Sequence, residues 1–171
     1  ENQEGYRNLM KLTSMSYTEG FYYKPRIDDE ILAANSGGLI ASSACIAGEI
    51  PALILSGKAA AAEKKALSYR DLFGPERIYL ELQDHGLEEQ KLVNRELVAI
   101  SRRQGIPLVA TNDLHYIRQE DAVAQDILLC IGTKRTRNEP NRMKFDGSEF
   151  YLKDSAEMAK LFPEYPEMLS N

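Results

Sequence analysis

Apolar residues recur along this chain in two periods, one near 3.6 and one of 2, and the switch between them predicts the elements. Tyr6, Leu9, Met10 and Thr13 sit at helical spacing and predict an opening amphipathic helix that ends near Glu19 and Gly20. Residues 21–26 predict an extended loop, because Pro25 pushes Lys24 out of the helical region. After Gly37 and Gly38, small and apolar residues over 39–45 predict a first strand. Residues 50–55 predict a short helix with Pro51 in its first turn, and 59–73 a longer one with Ala62, Ala66, Tyr69 and Phe73 on one face. A second strand is expected over 77–83, then a helix over 87–104 stopped by Gly105. The apolar run that opens at Ile106 predicts a third strand over 108–112. A helix follows from about 119 to 131, with Val123, Ile127 and Cys130 turned inward and Gly132 as its stop. Asp154 and Glu157 form a capping-box pair that announces a last short helix ending before Pro163.

Strands alternating with helices imply βαβ units, so the fold class is α/β with parallel strands, and functional residues belong at the carboxyl ends of those strands. Cys45 falls at the first such end, Asp84 and His85 at the second, Asp113 and His115 at the third. In an extended chain, residues two apart share a face, so the Asp113 carboxylate and the His115 imidazole emerge together. Such a pair suits a divalent ion, Zn²⁺ or Mn²⁺, with further ligands from other strand ends. The plain alternative is a capping Asp and its neighbour at the start of a turn. Cys45 reads as a metal ligand, a nucleophile or a small buried hydrophobe, and no base or thiolate-stabilising field is legible for the second role. Cys130, inside a helix, reads as packing. For His85, a hydrogen bond that positions a loop is favoured over a place on the metal rim or plain surface. Glu49 and Glu81 are carboxylates that nothing in the sequence pairs. A Gly-rich phosphate cradle, a nucleophile elbow and a His-Glu-x-x-His helix are all absent.

With 171 residues and 43% hydrophobic content, the chain holds one sizeable core and is one domain or part of one. No apolar run approaches a membrane span, so no membrane partner is expected. The first residues, Glu1 to Glu4, lack a Met and a signal pattern, which predicts an internal excerpt. Two cysteines in apolar contexts argue against a disulfide scaffold and fit a reducing, cytoplasmic location. A net charge of −5 excludes a general electrostatic grip on nucleic acid. The exception is local: Lys134, Arg135, Arg137, Arg142 and Lys144 crowd a turn-rich stretch that reads as a solvated face, a contact with an acidic neighbour, or a phosphate path.

Several long strings, in order and spacing, resemble one family. GYRNLMKLTSMSYTEGFYYKPRID, GLIASSACIAGEIP, YLELQDHG, IPLVATNDLHYI and DILLCIGTKRT, followed by NRMKF and EFYL, are similar to the PHP (polymerase and histidinol phosphatase) domain of bacterial replicative DNA polymerase III alpha subunits. The resemblance implies a distorted α/β barrel of parallel strands whose ends hold divalent metals. Its ligands in a Ser-Ala-Cys motif and an Asn-Asp-x-His-Tyr motif fall here on Cys45, Asp113 and His115. An opening His-x-His motif would precede Glu1, so residues 1–132 would be the C-terminal portion of the domain, with a partial metal site. Residues 133–171 would be a basic loop and short helix leading toward the polymerase core, whose catalytic aspartates and Mg²⁺ would follow Asn171. The parent would be a DNA-directed DNA polymerase that binds DNA and other holoenzyme subunits. Its PHP region would act as a 3′ to 5′ proofreading nuclease or as a platform for a separate exonuclease subunit. A free-standing PHP phosphoesterase and a non-catalytic interaction module are the alternatives.

Overall fold

A three-stranded parallel sheet organises the molecule, which a computed structural model describes over residues 1–171. Strand β1 (Ala41–Ser42) pairs with β2 (Ile78–Leu82), and β2 with β3 (Leu108–Ala110), in spatial order β1-β2-β3. Leu80 lies opposite Leu108 and Leu82 opposite Ala110. The period of two decides the layers: Ile78, Leu80 and Leu82 are buried, whereas Tyr79 and Glu81 point to the less covered face. Helices α3 (Glu49–Leu55), α4 (Ala59–Phe73) and α5 (Glu88–Gln104) cover the buried side through Ile50, Ile54, Ala62, Ala66, Val93, Leu97 and Ile100. The α/β class therefore holds, and the sheet is small and open, with two free edges rather than a closed barrel.

Several elements follow local rules directly. α5 ends where Gly105 takes the left-handed conformation with φ 65°, as its position predicts. The last α-helix, α7 (Ser155–Leu161), starts on the expected reciprocal cap, with Glu157 N donating to Asp154 Oδ1 and Asp154 N to Glu157 Oε2, both at 2.8 Å. Beyond it, a 3₁₀ turn at Pro166–Leu169 brings Met168 into the main core beside Phe162.

Elsewhere the structure corrects the sequence-based expectation. The first strand is two residues long rather than seven: Ser43 N still bonds Tyr79 O at 3.0 Å, but Ala44 then turns into the left-handed region (φ 59°). Cys45 thus lies in the following turn. An unexpected six-residue helix, α2 (Asp29–Ala34), forms because Asp28 caps Ile31 N at 2.9 Å. The loop before it is tightly turned rather than extended, with Tyr23 at φ 61° and Tyr22 bridged to Lys24.

Helix α6 (Ala122–Thr133) departs furthest from expectation. Cys130 is buried, but Val123 and Ile127 are 54% and 44% exposed, so they do not face the core. Periodicity defines an apolar face without saying whether anything covers it. The neighbours of α6 are the short 3₁₀ turn Gln119–Asp121 and the basic loop that follows, neither of which is a packing layer. Its stop is also shifted past Gly132, because Lys134 supplies the left-handed cap at φ 55°.

The opening helix, α1 (Gln3–Thr18), buries only Gly5 and Leu12 and leaves Tyr6, Leu9 and Met10 exposed. It docks by backbone. A Cβ on Gly5 would sit 1.9 Å from the carbonyl oxygen of Gly38, which is itself at φ 70°. Asn8 Nδ2 adds a 2.8 Å bond to Gly37 O, in the turn that leads into β1.

Candidate metal centre

The carboxyl end of β3 is built by pairing with a segment far along the chain. His115 N donates to Phe150 O at 2.9 Å and Leu152 N to Ile117 O at 3.2 Å, while Tyr116 and Tyr151 form a parallel bridge. The strand expected over 108–112 stops at Ala110, and the EFYL string at 149–152 meets the chain again only beyond Asp113, through an isolated bridge that lies outside the sheet. Asn112 anchors the junction: its amide donates to Tyr151 O at 2.5 Å and Glu149 O at 3.3 Å, and its side-chain oxygen accepts from Lys153 Nζ at 3.2 Å. Lys153, its side chain 3% exposed, also bonds the Glu149 carbonyl, meets the Glu149 carboxylate at 3.2 Å and lies 4.2 Å from the Tyr151 ring centre. A buried ammonium is tolerable only with such a complete set of partners.

His85 closes the same junction from the end of β2. Its Nε2 donates to Asn112 O, its Nδ1 accepts from Gln90 Nε2, and its own backbone N–H donates to Gln90 Oε1, each at 2.7 Å. That arrangement places the single ring proton on Nε2. His85 is 3% exposed and stacks on Phe150 with ring centres 4.0 Å apart. Burial, aided by the Lys153 charge and opposed by the Asn112 bond, holds the imidazole below its ordinary value of 6.5. His85 is a loop-positioning hydrogen bonder, the role favoured for it from the sequence.

On this frame Asp113 and His115 come together, Asp113 Oδ1 lying 3.6 Å from His115 Nε2 with each side chain about one third exposed. Phe145 and Phe150 pack near the His115 ring, at 4.4 and 5.8 Å between centres. Asp113 adopts φ 41°, a conformation costly for a non-glycine residue and held here by the pairing on both sides of it. Cys45 is a half-buried free thiol in the turn after β1. No three His, Cys, Asp or Glu side chains lie close enough to hold one ion, so Cys45 does not join Asp113 and His115 in a ligand set in this structure. The pair fits a divalent cation in donor type, one carboxylate and one imidazole, as two of its ligands.

Residues 1–85 match the model of the PHP domain. Over this span the chain belongs to the PHP domain family. Across all 171 residues it is 58% identical to DNA polymerase III subunit alpha of Treponema pallidum and 51% identical to DNA polymerase III subunit alpha of Borreliella burgdorferi, covering 15% of each. Against DNA polymerase III subunit alpha of Deinococcus radiodurans it is 48% identical over 160 residues, 94% of this chain and 12% of that protein. The chain therefore spans about 15% of the length of the curated relatives it matches most fully. The family match ends at His85, where the hydrogen bonds to Gln90 and Asn112 begin.

Other parts of the PHP segment and its extension were less legible. Lys153, Gln90 and Phe150 carry no local signal of their roles, because their partners lie in distant turns. Glu49, unpaired in the sequence, accepts from Tyr69 at 2.9 Å and meets Lys65 at 3.3 Å, a tie between α3 and α4. Four of the five cations of the basic loop have acidic partners, and Lys134 is exposed without one. Arg137 and Arg142 both bind Asp126 of α6, at 3.0 and 2.5 Å, and their hydrogen bonds, led by Arg142, hold the Asp126 carboxyl below the ordinary carboxylate range. Arg135 pairs with Glu139 at 3.0 Å and Lys144 with Asp146 at 3.7 Å. Arg142, whose side chain is 9% exposed, is the most covered of these cations, and its Asp126 partner is 19% exposed.

Proposed function

We propose that this chain is the PHP region of a replicative DNA polymerase III alpha subunit, and that Cys45, Asp113 and His115 contribute to a divalent-metal site of that subunit. The observation that carries the reading is identity of 58% across the whole chain with such a subunit, with the Asp113–His115 pair at a parallel strand end. Donor type supports Zn²⁺ or Mn²⁺ at this site, and Mg²⁺ would serve the polymerase centre elsewhere in the subunit. A bound cation would activate water for phosphodiester hydrolysis, the chemistry of 3′ to 5′ proofreading. The chain's own residues orient that site: the Phe150 carbonyl fixes the His115 backbone, Phe145 shields one side of its ring, and Asp113 faces its Nε2.

In this reading residues 1–132 form the PHP portion of a distorted barrel, and 133–171 lead toward the polymerase core. DNA and other holoenzyme subunits are the partners, in the cytoplasm. No helix is long and apolar enough to cross a membrane. A second role, a structural platform for an exonuclease subunit, is favoured by the exposed apolar faces of α1 and α6 and by the two-donor count.

The test is Asp113→Asn in the full-length subunit. Hydrolysis of a single-stranded 3′ end is expected to fall about tenfold or more, with bound Zn²⁺ or Mn²⁺ reduced, while nucleotide incorporation is kept. Wild-type subunit free of metal-dependent hydrolysis would favour the platform. Equal loss of both activities, together with a lowered melting temperature, would place the effect in folding and overturn the site assignment.

A further inference from the structure

On the less covered face of the sheet, Glu81 joins all three strand ends. Its Oε2 accepts from Ser42 Oγ of β1 at 2.5 Å, and its Oε1 accepts from Gln83 Nε2 at 2.9 Å and from the Thr111 hydroxyl just past β3. Gln83 Nε2 reaches Thr111 Oγ1 as well, at 3.1 Å, so the carboxylate stands in a closed polar chain running across the sheet. A second strand-to-strand bond backs it, from Glu81 N to Ser43 Oγ at 2.8 Å. Apart from the Gln83–Glu81 bond within β2 and its end, these contacts span 28 to 39 residues in sequence, so local structure does not produce them.

Each anchor of this chain stands just before a residue of the proposed metal site. Ser42 lies three residues ahead of Cys45, and its Oγ accepts from Ala44 N at 3.4 Å where the backbone turns left-handed. Thr111 lies two residues ahead of Asp113 and four ahead of His115. β1 and β3 do not pair with each other, being separated by β2. Their separation at the carboxyl end is set by whatever links both to β2, and Glu81 is the one side chain that bonds to both.

We infer that Glu81 is a positioning residue for the proposed metal site: its carboxylate fixes the Cys45 turn relative to the Asp113–His115 strand end without itself taking a ligand position. The inference rests on the metal-site reading above. An acceptor geometry, not a negative charge at the metal, is what the role requires. A glutamine can serve it, since its carbonyl can accept from Thr111 and its amide can face a rotated Ser42 hydroxyl. Alanine cannot.

The experiment compares Glu81→Gln, Glu81→Ala and Asp113→Asn in the full-length subunit, titrated with Co²⁺ as the probe and followed by its visible absorption, with melting temperature recorded alongside. Glu81→Gln is expected to bind Co²⁺ within about twofold of the parent and to keep its spectrum. Glu81→Ala is expected to lose about tenfold in affinity, with altered band intensities that report a changed ligand geometry. Unchanged Co²⁺ affinity and spectrum in Glu81→Ala, with only the melting temperature lowered, overturns the inference and leaves Glu81 a stabilising contact. Glu81→Gln as damaging as alanine also overturns it, by showing that the charge matters. An unaltered titration in Asp113→Asn overturns the metal-site reading itself, whatever the Glu81 variants do.

Discussion

The molecule places cations in two very different settings. Lys153 is enclosed beyond the third strand, and its partners are a backbone carbonyl, a side-chain amide oxygen and a neighbouring carboxylate, so its charge ties the Glu149 segment to Asn112. The cations of the basic loop instead pair chiefly with the carboxylates of Asp126, Glu139 and Asp146, mostly in solvent, and only Arg142 among them also donates to backbone carbonyls, those of Arg137 and Met143. A buried cation with fixed partners defines a unique geometry, whereas exposed pairs cost side-chain entropy and are screened, so they return little net stability. The difference implies that the strand-end junction is the rigid part of this region and that the loop serves solubility or contact more than folding.

The sharpest way to break this contrast is Lys153→Met, which preserves the apolar stem and leaves Asn112 Oδ1 without its donor. Urea unfolding is expected to show a loss of about 3 kcal/mol. A loss no larger than that of a loop variant would erase the distinction. Gln90→Leu should cost somewhat less, about 2 kcal/mol, because the buried His85 N–H and Nδ1 lose their partners while the Asn112 bond persists. Amide exchange at His85 and His115 would show the opening locally.

Acidity sharpens the same comparison. The folded-state pKa of His85 lies below its unfolded value near 6.5, so on acidification the unfolded chain takes up a proton before the folded one does. Its contribution is complete above about pH 6.5 and is lost as pH falls toward the folded value, with a slope of at most about 1.4 kcal/mol per pH unit for one proton. Unfolding midpoints between pH 7.5 and 5.5 should drop in the parent, and His85→Gln should flatten that component. The smallest effect is expected for Arg137→Ala, since Arg142 still holds Asp126. Its urea midpoint should match the parent at 0.5 M NaCl; a clear loss that salt does not reduce would show the loop to be structural after all.

What could be read in advance divides along the range of the interactions. α5 and β2 were legible because each satisfies its own period within one core, through Val93, Leu97 and Ile100 on the helix and Ile78, Leu80 and Leu82 on the strand. α6 misled because Val123 and Ile127 repeat like core positions with no layer above them. Asp113 and His115 do come near each other, but not by the period of two of an extended strand, since β3 ends at Ala110 and Asp113 is left-handed. The frame that holds them was not legible, since Phe150 and Lys153 join it from 35 or more residues away, and no local pattern encodes a parallel pairing of that length. Cys45 was misplaced by one turn because small residues such as Ser43 and Ala44 are compatible with both strand and bend.

The backbone contact between Gly5 and Gly38 gives α1 the mechanics of a lever. A helix of 16 residues is a rod of about 24 Å, here gripped within its first two turns by Gly38 and Gly37. A tilt of about 5° at that fulcrum swings the Thr18 end by roughly 2 Å, carrying exposed Tyr17 and the aromatic cluster at Phe21 to Tyr23 with it. The fulcrum shares its turn with the entrance to β1, so pressure on the far end of the rod is delivered to the strand that leads into Cys45.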